Sequence, residues 1–249
     1  MALQEEFEVQ GNWLFKRRSY MPMAALLAGY GLFLKKEIYP ETSFFGGTPY
    51  EIYYEMFCLV VSLLGLLVRV YTVGHTPRHT SGRNTKEGQV ADTLNTTGIY
   101  SVVRHPLYLG NFLMWLGLAM LTGNLWFTVA FGLFYWVYYE RIMYAEEQFL
   151  RRKFGEQYTR WAAEVPAFFP LVKCFRKPCL PFNWKKVIKK EKNGTFALFL
   201  LFTIFDISEE FLQKDQSYNY FLIGLTGLTG IGYVVIKILR KKTKLLRED

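Results

Sequence analysis

The chain has few cysteines and lacks the short motifs of a soluble nucleotide-binding fold. It contains three cysteines among 249 residues. Cys58 lies in a hydrophobic block, where we interpret it as a small apolar packing residue. Cys174 and Cys179 have four residues between them and no histidine nearby, which is not the spacing of a zinc site, so we expect no metal. No glycine-rich loop follows a strand-like segment, which excludes the common dinucleotide-binding fold.

Hydrophobic residues, in contrast, are abundant and fall in long blocks. They make up 51% of the chain, and aromatic residues make up 18%. The first ten residues are acidic and polar, so we expect no cleavable signal peptide. A membrane-spanning helix needs roughly 17–25 mostly apolar residues. Six blocks are candidates, at about 20–34, 53–73, 106–122, 124–140, 195–212 and 218–239. The sequence therefore predicts an all-α, polytopic membrane bundle of about six transmembrane helices.

Basic residues concentrate in alternate segments of the chain. They cluster at 16–18, 78–104, 141–160, 185–192 and 240–244. Because cytoplasmic segments of membrane proteins are enriched in Lys and Arg, we expect both termini to be cytoplasmic. The net charge of +9 would then face anionic lipid headgroups. We expect no nucleic-acid partner for a polytopic membrane protein.

A polar and cationic cluster, residues 97–110, runs directly into the third hydrophobic block. Pro106 suits the first turn of a helix, where its missing N–H is not needed. The residue before a proline avoids the helical region, so His105 should precede the helix. Arg104, His105 and Tyr108 should therefore gather at a helix N-terminus, whose free N–H groups favour an anionic or zwitterionic ligand.

A second polar segment, residues 141–158, follows the fourth block and should continue that helix into the cytoplasm. The two blocks are joined only by Thr122-Gly123-Asn124, so they should be antiparallel neighbours. This hairpin predicts one cluster at a single membrane surface, made of Arg104, His105, Tyr108, Arg141, Glu146 and Glu147. A solvated ion-pair rim at a helix end would show the same spacing.

These motifs resemble the isoprenylcysteine carboxyl methyltransferase family of integral membrane enzymes. The resemblance rests on 98–100, 104–110, Glu146-Glu147, 154–158 and 165–170, and it covers roughly residues 53–170. The segments 75–85 and 93–98 resemble a bacterial subgroup that includes lipid A phosphate O-methyltransferases, which implies a bacterial inner membrane. Membrane sterol reductases have a similar Arg-His-Pro block, so an NADPH-dependent reductase remains an alternative.

The resemblance implies S-adenosylmethionine as the cofactor and a cofactor site at the cytoplasmic face. The residues that match cofactor-binding positions of the family are Asp92, Thr93, Leu94, Asn95, Tyr100, His105, Pro106, Leu107, Tyr108 and Glu146. A carboxylate would attract the sulfonium and ammonium of this cofactor, and tyrosines would offer aromatic faces.

The basic loop at 75–86 points to a phosphate-bearing lipid as the methyl acceptor. Arg78 and Arg83 are our candidates for binding the substrate, because guanidinium groups recognise phosphate well. A basic loop that merely rests on anionic lipid is the alternative. Arg104 and Arg141 are our candidates for orienting the acceptor oxygen. Prenylcysteine methyltransferases have an arginine where this chain has Glu164, which argues against a prenylcysteine acceptor.

We therefore predict an S-adenosylmethionine-dependent methyltransferase acting on a membrane lipid, at a phosphate. Prenylcysteine carboxyl or phospholipid amine methylation, the reductase, and a non-catalytic lipid-binding subunit are the alternatives. The predicted division is an N-terminal segment with the first transmembrane helix (1–52), a methyltransferase core (53–170), and a basic linker with a C-terminal transmembrane hairpin (171–249).

Overall fold

The fold is all-helical, as the sequence predicted. The computed structural model describes residues 2–18, 20–43, 45–77, 89, 91–213 and 218–242. Within these ranges there is no β-strand, and the eight α-helices are α1 (Leu3–Lys16), α2 (Tyr20–Ile38), α3 (Glu51–His75), α4 (Pro106–Met120), α5 (Leu125–Phe154), α6 (Glu156–Glu164), α7 (Trp184–Gln213) and α8 (Tyr220–Lys242). Short 3₁₀ turns lie at Pro40–Thr42, Ile99–Ser101 and Val172–Cys174.

Each of the six predicted hydrophobic blocks lies on a helix, but the count of six spans is not confirmed. Among the described residues, two helices, α3 and α8, are long and apolar enough to cross a membrane. The helix α4 is apolar but has only 15 residues. The helices α5 and α7 have 30 residues each and combine an apolar part with a charged extension. The extension of α5 confirms that this helix continues beyond its hydrophobic block.

The helices α3 and α4 pack with their backbones in close contact. A Cβ atom added to Gly65 would lie 2.5 Å from the carbonyl oxygen of Gly110, and one added to Gly110 would lie 2.8 Å from the oxygen of Gly65. About one helical turn away from these glycines on each helix, the hydroxyl of Ser62 donates to the carbonyl oxygen of Met114 at 2.8 Å. Glycine at both positions therefore sets the spacing of this helix pair.

The turn between α4 and α5 is as short as the sequence predicted. Gly123 has φ +60°, a conformation that glycine adopts without strain. The side chain of Asn124 caps α5 by accepting from the backbone N–H of Phe127 at 2.9 Å. The two helices are thus antiparallel neighbours, and residues 104–108 and 141–147 lie at the same end of the bundle. We call this end the motif end.

The helix α1 was not predicted, and it packs along α5 at the motif end. Gly11 sits directly against the carbonyl oxygen of Arg141, and an added Cβ would also lie 2.7 Å from the Cβ of Ala145. Phe15 is buried against the same surface. The helix was missed because its polar and acidic residues exclude it from a search for apolar blocks.

Candidate active site at the start of the fourth helix

The backbone before α4 has the non-helical conformation that Pro106 indicates, and its N–H groups donate to a later segment of the chain. Pro106 is the first residue of α4, and His105 is the N-cap with a non-helical backbone. The N–H of Arg104 donates to the carbonyl oxygen of Pro166 at 2.9 Å, and the N–H of His105 donates to that of Ala167 at 3.2 Å. The chain after α6 thus occupies the N–H groups of the two residues before α4, and the anion or zwitterion site expected at the N-terminus of this helix stays a prediction.

Glu147 holds the two basic side chains of the motif together. Its Oε1 lies 2.9 Å from Nε2 of His105 and 3.0 Å from Nε of Arg104. A second nitrogen of Arg104 donates to the carbonyl oxygen of Ala162 at 2.6 Å. Burial raises the pKa of the Glu147 carboxyl, but His105, Arg104 and Tyr158 together outweigh burial and hold this pKa below its usual value. Glu147 is therefore an ionised anchor between α5, α4 and the end of α6.

Glu146, the neighbouring carboxylate, faces a different environment. Its Oε2 accepts a hydrogen bond from the hydroxyl of Tyr108 at 2.8 Å and lies 3.7 Å from Nδ1 of His105. The rings of His105 and Tyr108 stack, with centroids 5.6 Å apart and an angle of 19° between the planes. One oxygen of Glu146 is thus held in place, while the residue also lines a cavity at the motif end.

This cavity gathers most of the residues predicted to bind the cofactor. Its volume within the described residues is about 60 Å³, and residues 78–88 and 90, which adjoin it in sequence, lie outside the described residues. The predicted residues that line it are Thr93, Leu94, Asn95, Tyr100, His105 and Glu146, and the candidate Arg104 lines it as well. Asp92 is exposed and Pro106 is buried away from it, whereas Leu107 and Tyr108 line a second, larger cavity.

The same cavity has lining residues that the sequence did not suggest. They are Phe15, Gln89, Ala91, Phe149, Leu150, Tyr158 and Trp161. The indole N–H of Trp161 donates to the carbonyl oxygen of Tyr100 at 3.1 Å, which fixes one aromatic wall. Burial and the nearby charge of Glu146 raise the pKa of Tyr100, so its hydroxyl stays protonated and can donate.

Gln89 is the clearest indication of a polar ligand. Both polar atoms of its side-chain amide are buried, and neither has a hydrogen-bond partner among the described residues. A buried amide without partners is costly, so such a group normally meets a ligand or water. Aromatic walls, an unpaired amide and a carboxylate are groups that can recognise an adenosyl group carrying a sulfonium and an ammonium, so the chemistry of these side chains fits S-adenosylmethionine. The volume of about 60 Å³ bounded by the described residues is smaller than the whole cofactor.

Two groups of predicted residues are not brought into this cavity. The guanidinium of Arg141 lies over the ring of Phe7, 3.3 Å from its centroid, and pairs with Glu140 at 3.5 Å. Arg141 therefore faces α1 and does not join Glu146 and Glu147 as expected. Arg78 and Arg83, the predicted substrate-binding residues, lie outside the described residues.

Glu164, which replaces an arginine of the prenylcysteine methyltransferases, also has a partner. Its carboxylate accepts from the guanidinium of Arg176 at 3.1 Å, and both side chains are largely exposed. Arg176 is tied in turn to the motif, because its carbonyl oxygen accepts from the N–H of Gly98 at 2.9 Å. A cation is thus present near the position of Glu164, although it comes from a later segment of the chain.

Comparison with known proteins gives a consistent family. A family model described as phospholipid methyltransferase matches residues 54–157. Protein-S-isoprenylcysteine O-methyltransferase B of Arabidopsis thaliana is 33% identical over 141 residues, which cover 55% of this chain and 69% of that protein. The protein-S-isoprenylcysteine O-methyltransferase of Schizosaccharomyces pombe is 40% identical over 79 residues, which cover 32% of this chain and 34% of the relative.

A bacterial relative has a different kind of name. The cobalt-zinc-cadmium resistance protein CzcN of Cupriavidus metallidurans is 38% identical over 89 residues, 36% of this chain and 41% of that protein. The chain thus spans between about a third and about two thirds of the length of these relatives. No solved structure matches the chain. The matched region contains Arg104, His105, Tyr108, Glu146 and Glu147.

Proposed function

Because this chain belongs to the family of the protein-S-isoprenylcysteine O-methyltransferases, and a phospholipid methyltransferase model matches its residues 54–157, we propose that it transfers a methyl group from S-adenosylmethionine to a membrane lipid. The observation that carries the proposal is Glu146, a carboxylate held by Tyr108 at the edge of a cavity with aromatic walls. This proposal takes precedence over the reductase, since two of the three relatives described above are named methyltransferases and none is named a reductase.

The residues of the first cavity have separate parts in binding the cofactor. The residues that would hold the cofactor are Glu146, whose carboxylate would attract its positive groups, and Tyr100, Trp161 and Gln89, which offer aromatic faces and an amide to the adenosyl part. When bound, S-adenosylmethionine supplies an electrophilic methyl group. Glu147 and Arg104 act as positioning residues, because their charges are committed to each other, to His105 and to the carbonyl oxygen of Ala162.

A phosphate is the acceptor that we propose. A phosphate monoester is already largely ionised at pH 7, with a second pKa of about 6, so its oxygen needs no general base. The protein would then mainly align the oxygen with the methyl group in a dry site, and such alignment can contribute roughly 7–11 kcal/mol. Arg78 and Arg83 remain our candidates for holding the phosphate. With Arg104 paired and Arg141 turned toward α1, the direct orienting role expected for those two is not supported by their contacts.

The carboxyl group of a prenylcysteine is the second candidate acceptor, because two of the relatives are named for that reaction. It is also an anionic oxygen that needs no general base. Glu164 argues against a prenylcysteine acceptor, because it places an anion where those enzymes have an arginine. Arg176 supplies a cation nearby, 3.1 Å from the carboxylate of Glu164. Exchanging the charge alone, in Glu164→Arg, should not produce efficient prenylcysteine methylation.

A parallel methylation assay separates these acceptors. Purified protein is incubated with methyl-labelled S-adenosylmethionine and, in separate reactions, a lipid with a terminal phosphate, an ethanolamine lipid and farnesylcysteine. We expect label on the phosphate lipid, and its loss in Glu146→Gln. Label on farnesylcysteine alone would establish the second candidate, and label on the amine lipid alone would refute both. Binding of the cofactor and the lipids without any transfer would indicate a non-catalytic subunit.

We also propose that the protein is integral to a bacterial inner membrane with both termini cytoplasmic. The support is the alternation of basic segments and the two clearly apolar helices, α3 and α8. Reporters fused after Asp249 and inserted within 185–192 should both report the cytoplasmic side. Opposite sides would mean that α7 and α8 do not form a transmembrane hairpin.

A further inference from the structure

A segment beyond the residues that match the family model returns to the cofactor site and bonds to its backbone. We call residues 171–187 the return segment. The N–H of Arg176 donates to the hydroxyl of Ser101 at 2.8 Å, and the carbonyl oxygen of Arg176 accepts from the N–H of Gly98 at 2.9 Å. These two contacts flank Tyr100, which lines the cofactor cavity. The return segment is therefore fixed to one wall of that cavity.

The later part of the return segment packs on the last turn of α3. The N–H of Asn183 donates to the carbonyl oxygen of Gly74 at 2.9 Å, and the carbonyl oxygen of Leu180 lies 2.8 Å from Nδ1 of His75. The ring of Phe182 fills the space beside Gly74 that a Cβ atom would need. The return segment thus joins the end of α3 to the segment before α4.

Lys186, in the first turn of α7, places a buried cation at the end of α3. The residue is only 2% exposed, whereas the neighbouring Lys185 is exposed. The ammonium of Lys186 donates to the carbonyl oxygen of Thr76, the residue that follows α3, and to that of Pro77 at 3.1 Å. Carbonyl groups at a helix C-terminus lack partners within the helix and carry partial negative charge, so a cation there fixes the helix end.

Thr76 connects this cation to the cofactor cavity. A side-chain hydrogen bond joins Thr76 to Tyr100, whose side chain is part of the cavity wall. The hydroxyl of Thr76 also donates to the carbonyl oxygen of Thr72, one turn back in α3, and both threonines are buried. The position of Tyr100 therefore depends on the position of the end of α3, which Lys186 holds.

We infer that Lys186 is a positioning residue for the cofactor site. It fixes the end of α3 from outside the family-matched region, and through Thr76 it holds Tyr100 in the wall of the cavity. Lys186 is not among the described residues that line the cavity, so its effect on a ligand is indirect. The inference rests on the proposed function for the identity of the cofactor, but the coupling of Lys186 to Tyr100 can be measured without any cofactor.

Hydrogen exchange in the cofactor-free protein tests this coupling. The wild type, Lys186→Met and the exposed control Lys185→Met are compared in detergent by mass spectrometry. Methionine is of similar length but cannot donate to the two carbonyl oxygens, so we expect exchange of the amides at 98–103 to be about tenfold faster in Lys186→Met. Lys185→Met should exchange like the wild type. Unchanged exchange at 98–103 in Lys186→Met would overturn the inference.

Calorimetric titration with S-adenosylmethionine tests the path through Thr76. Thr76→Val keeps the carbonyl oxygen that Lys186 contacts but removes the hydroxyl that reaches Tyr100. We expect Lys186→Met and Thr76→Val each to raise the Kd about tenfold, and Lys185→Met to leave it unchanged. Because both changes act on Tyr100, the double variant should bind far better than the product of the two effects predicts.

A Kd in the double variant equal to that product would show that Lys186 does not act through Thr76, and would overturn the inference. If Lys186→Met does not fold, Thr76→Val tests the path alone, and an unchanged Kd in that variant would overturn it. Cofactor binding by the wild type with an unchanged Kd in Lys186→Met would also overturn the inference but leave the proposed function standing. Faster exchange at 98–103 in Lys186→Met, in a protein whose wild type binds no S-adenosylmethionine, would support the coupling and refute the proposed function.

Discussion

Glu147→Gln tests whether the two adjacent glutamates have different tasks. Glu147 accepts from His105 at 2.9 Å and pairs with Arg104 at 3.0 Å, so it joins α5 to the segment before α4. Glu146 lines the cofactor cavity, whereas Glu147 does not. We therefore expect Glu147→Gln to act mainly on stability and Glu146→Gln mainly on cofactor affinity.

The size of the effect follows from the two contacts. A hydrogen bond to a charged group contributes about 1.5–3 kcal/mol and a neutral one about 0.5–1.5 kcal/mol, so losing the charge at the His105 contact costs about 1–1.5 kcal/mol. The contact with Arg104 is an ion pair without hydrogen-bond geometry, and such a pair contributes about 0.2–1 kcal/mol. The Glu147 and Arg104 side chains are 18% and 17% exposed, and partial exposure screens the charges. We expect a total destabilisation of about 2 kcal/mol, which corresponds to a fall in Tm of about 4–8 °C for a chain of this size.

Thermal unfolding in detergent, followed by calorimetric titration with S-adenosylmethionine, measures both quantities. Because the pKa of Glu147 is lowered in the folded protein, its contribution is complete above the usual value of 4.5 and is lost as the pH falls through the folded pKa. The difference in Tm between the wild type and Glu147→Gln should therefore be constant near neutral pH and shrink in acid. A variant with unchanged Tm and lost cofactor affinity would refute this division of roles.

Three further substitutions follow from the same geometry. Tyr108→Phe removes the 2.8 Å bond to Glu146 and should weaken S-adenosylmethionine binding about tenfold, as measured by calorimetry. Gly98→Ala should destabilise the protein by about 1–3 kcal/mol in thermal unfolding, because Gly98 has φ +63° and an added Cβ would lie 3.2 Å from the side chain of Pro178. The control Gly132→Ala, in a helix with open space around the glycine, should stabilise the protein slightly in the same assay. Arg141→Ala should lower Tm while kcat stays within a few-fold of the wild type; a collapse of kcat at unchanged Tm would restore the catalytic role first expected for Arg141.

The sequence predicted well what local chemistry determines. The start of α4 at Pro106 follows from proline sterics, and the hairpin at Thr122–Asn124 follows from two apolar blocks with almost nothing between them. Because that hairpin is so short, it also placed His105 near Glu146 and Glu147 correctly.

Contacts between distant segments could not be predicted in the same way. Arg69 and Glu191 are 122 residues apart, and neither belongs to a motif. The hydrogen bonds from the N–H groups of Arg104 and His105 to the backbone at 166–167 were not predicted, because nothing local in the sequence indicates them. Arg141 was placed correctly at the motif end, but its side chain turns to α1, a helix that the search for apolar blocks missed.

Photo-crosslinking of S-adenosylmethionine to the purified protein tests the central claim most directly. Labelled cofactor is irradiated with the wild type and with Glu146→Gln, and the labelled peptides are identified by mass spectrometry. We predict label within 89–108 or 146–161, a strong reduction in Glu146→Gln, and no competition by NADPH. Label confined to other segments, or displaced by NADPH, would contradict the assignment of this cavity as the site of a methyltransferase.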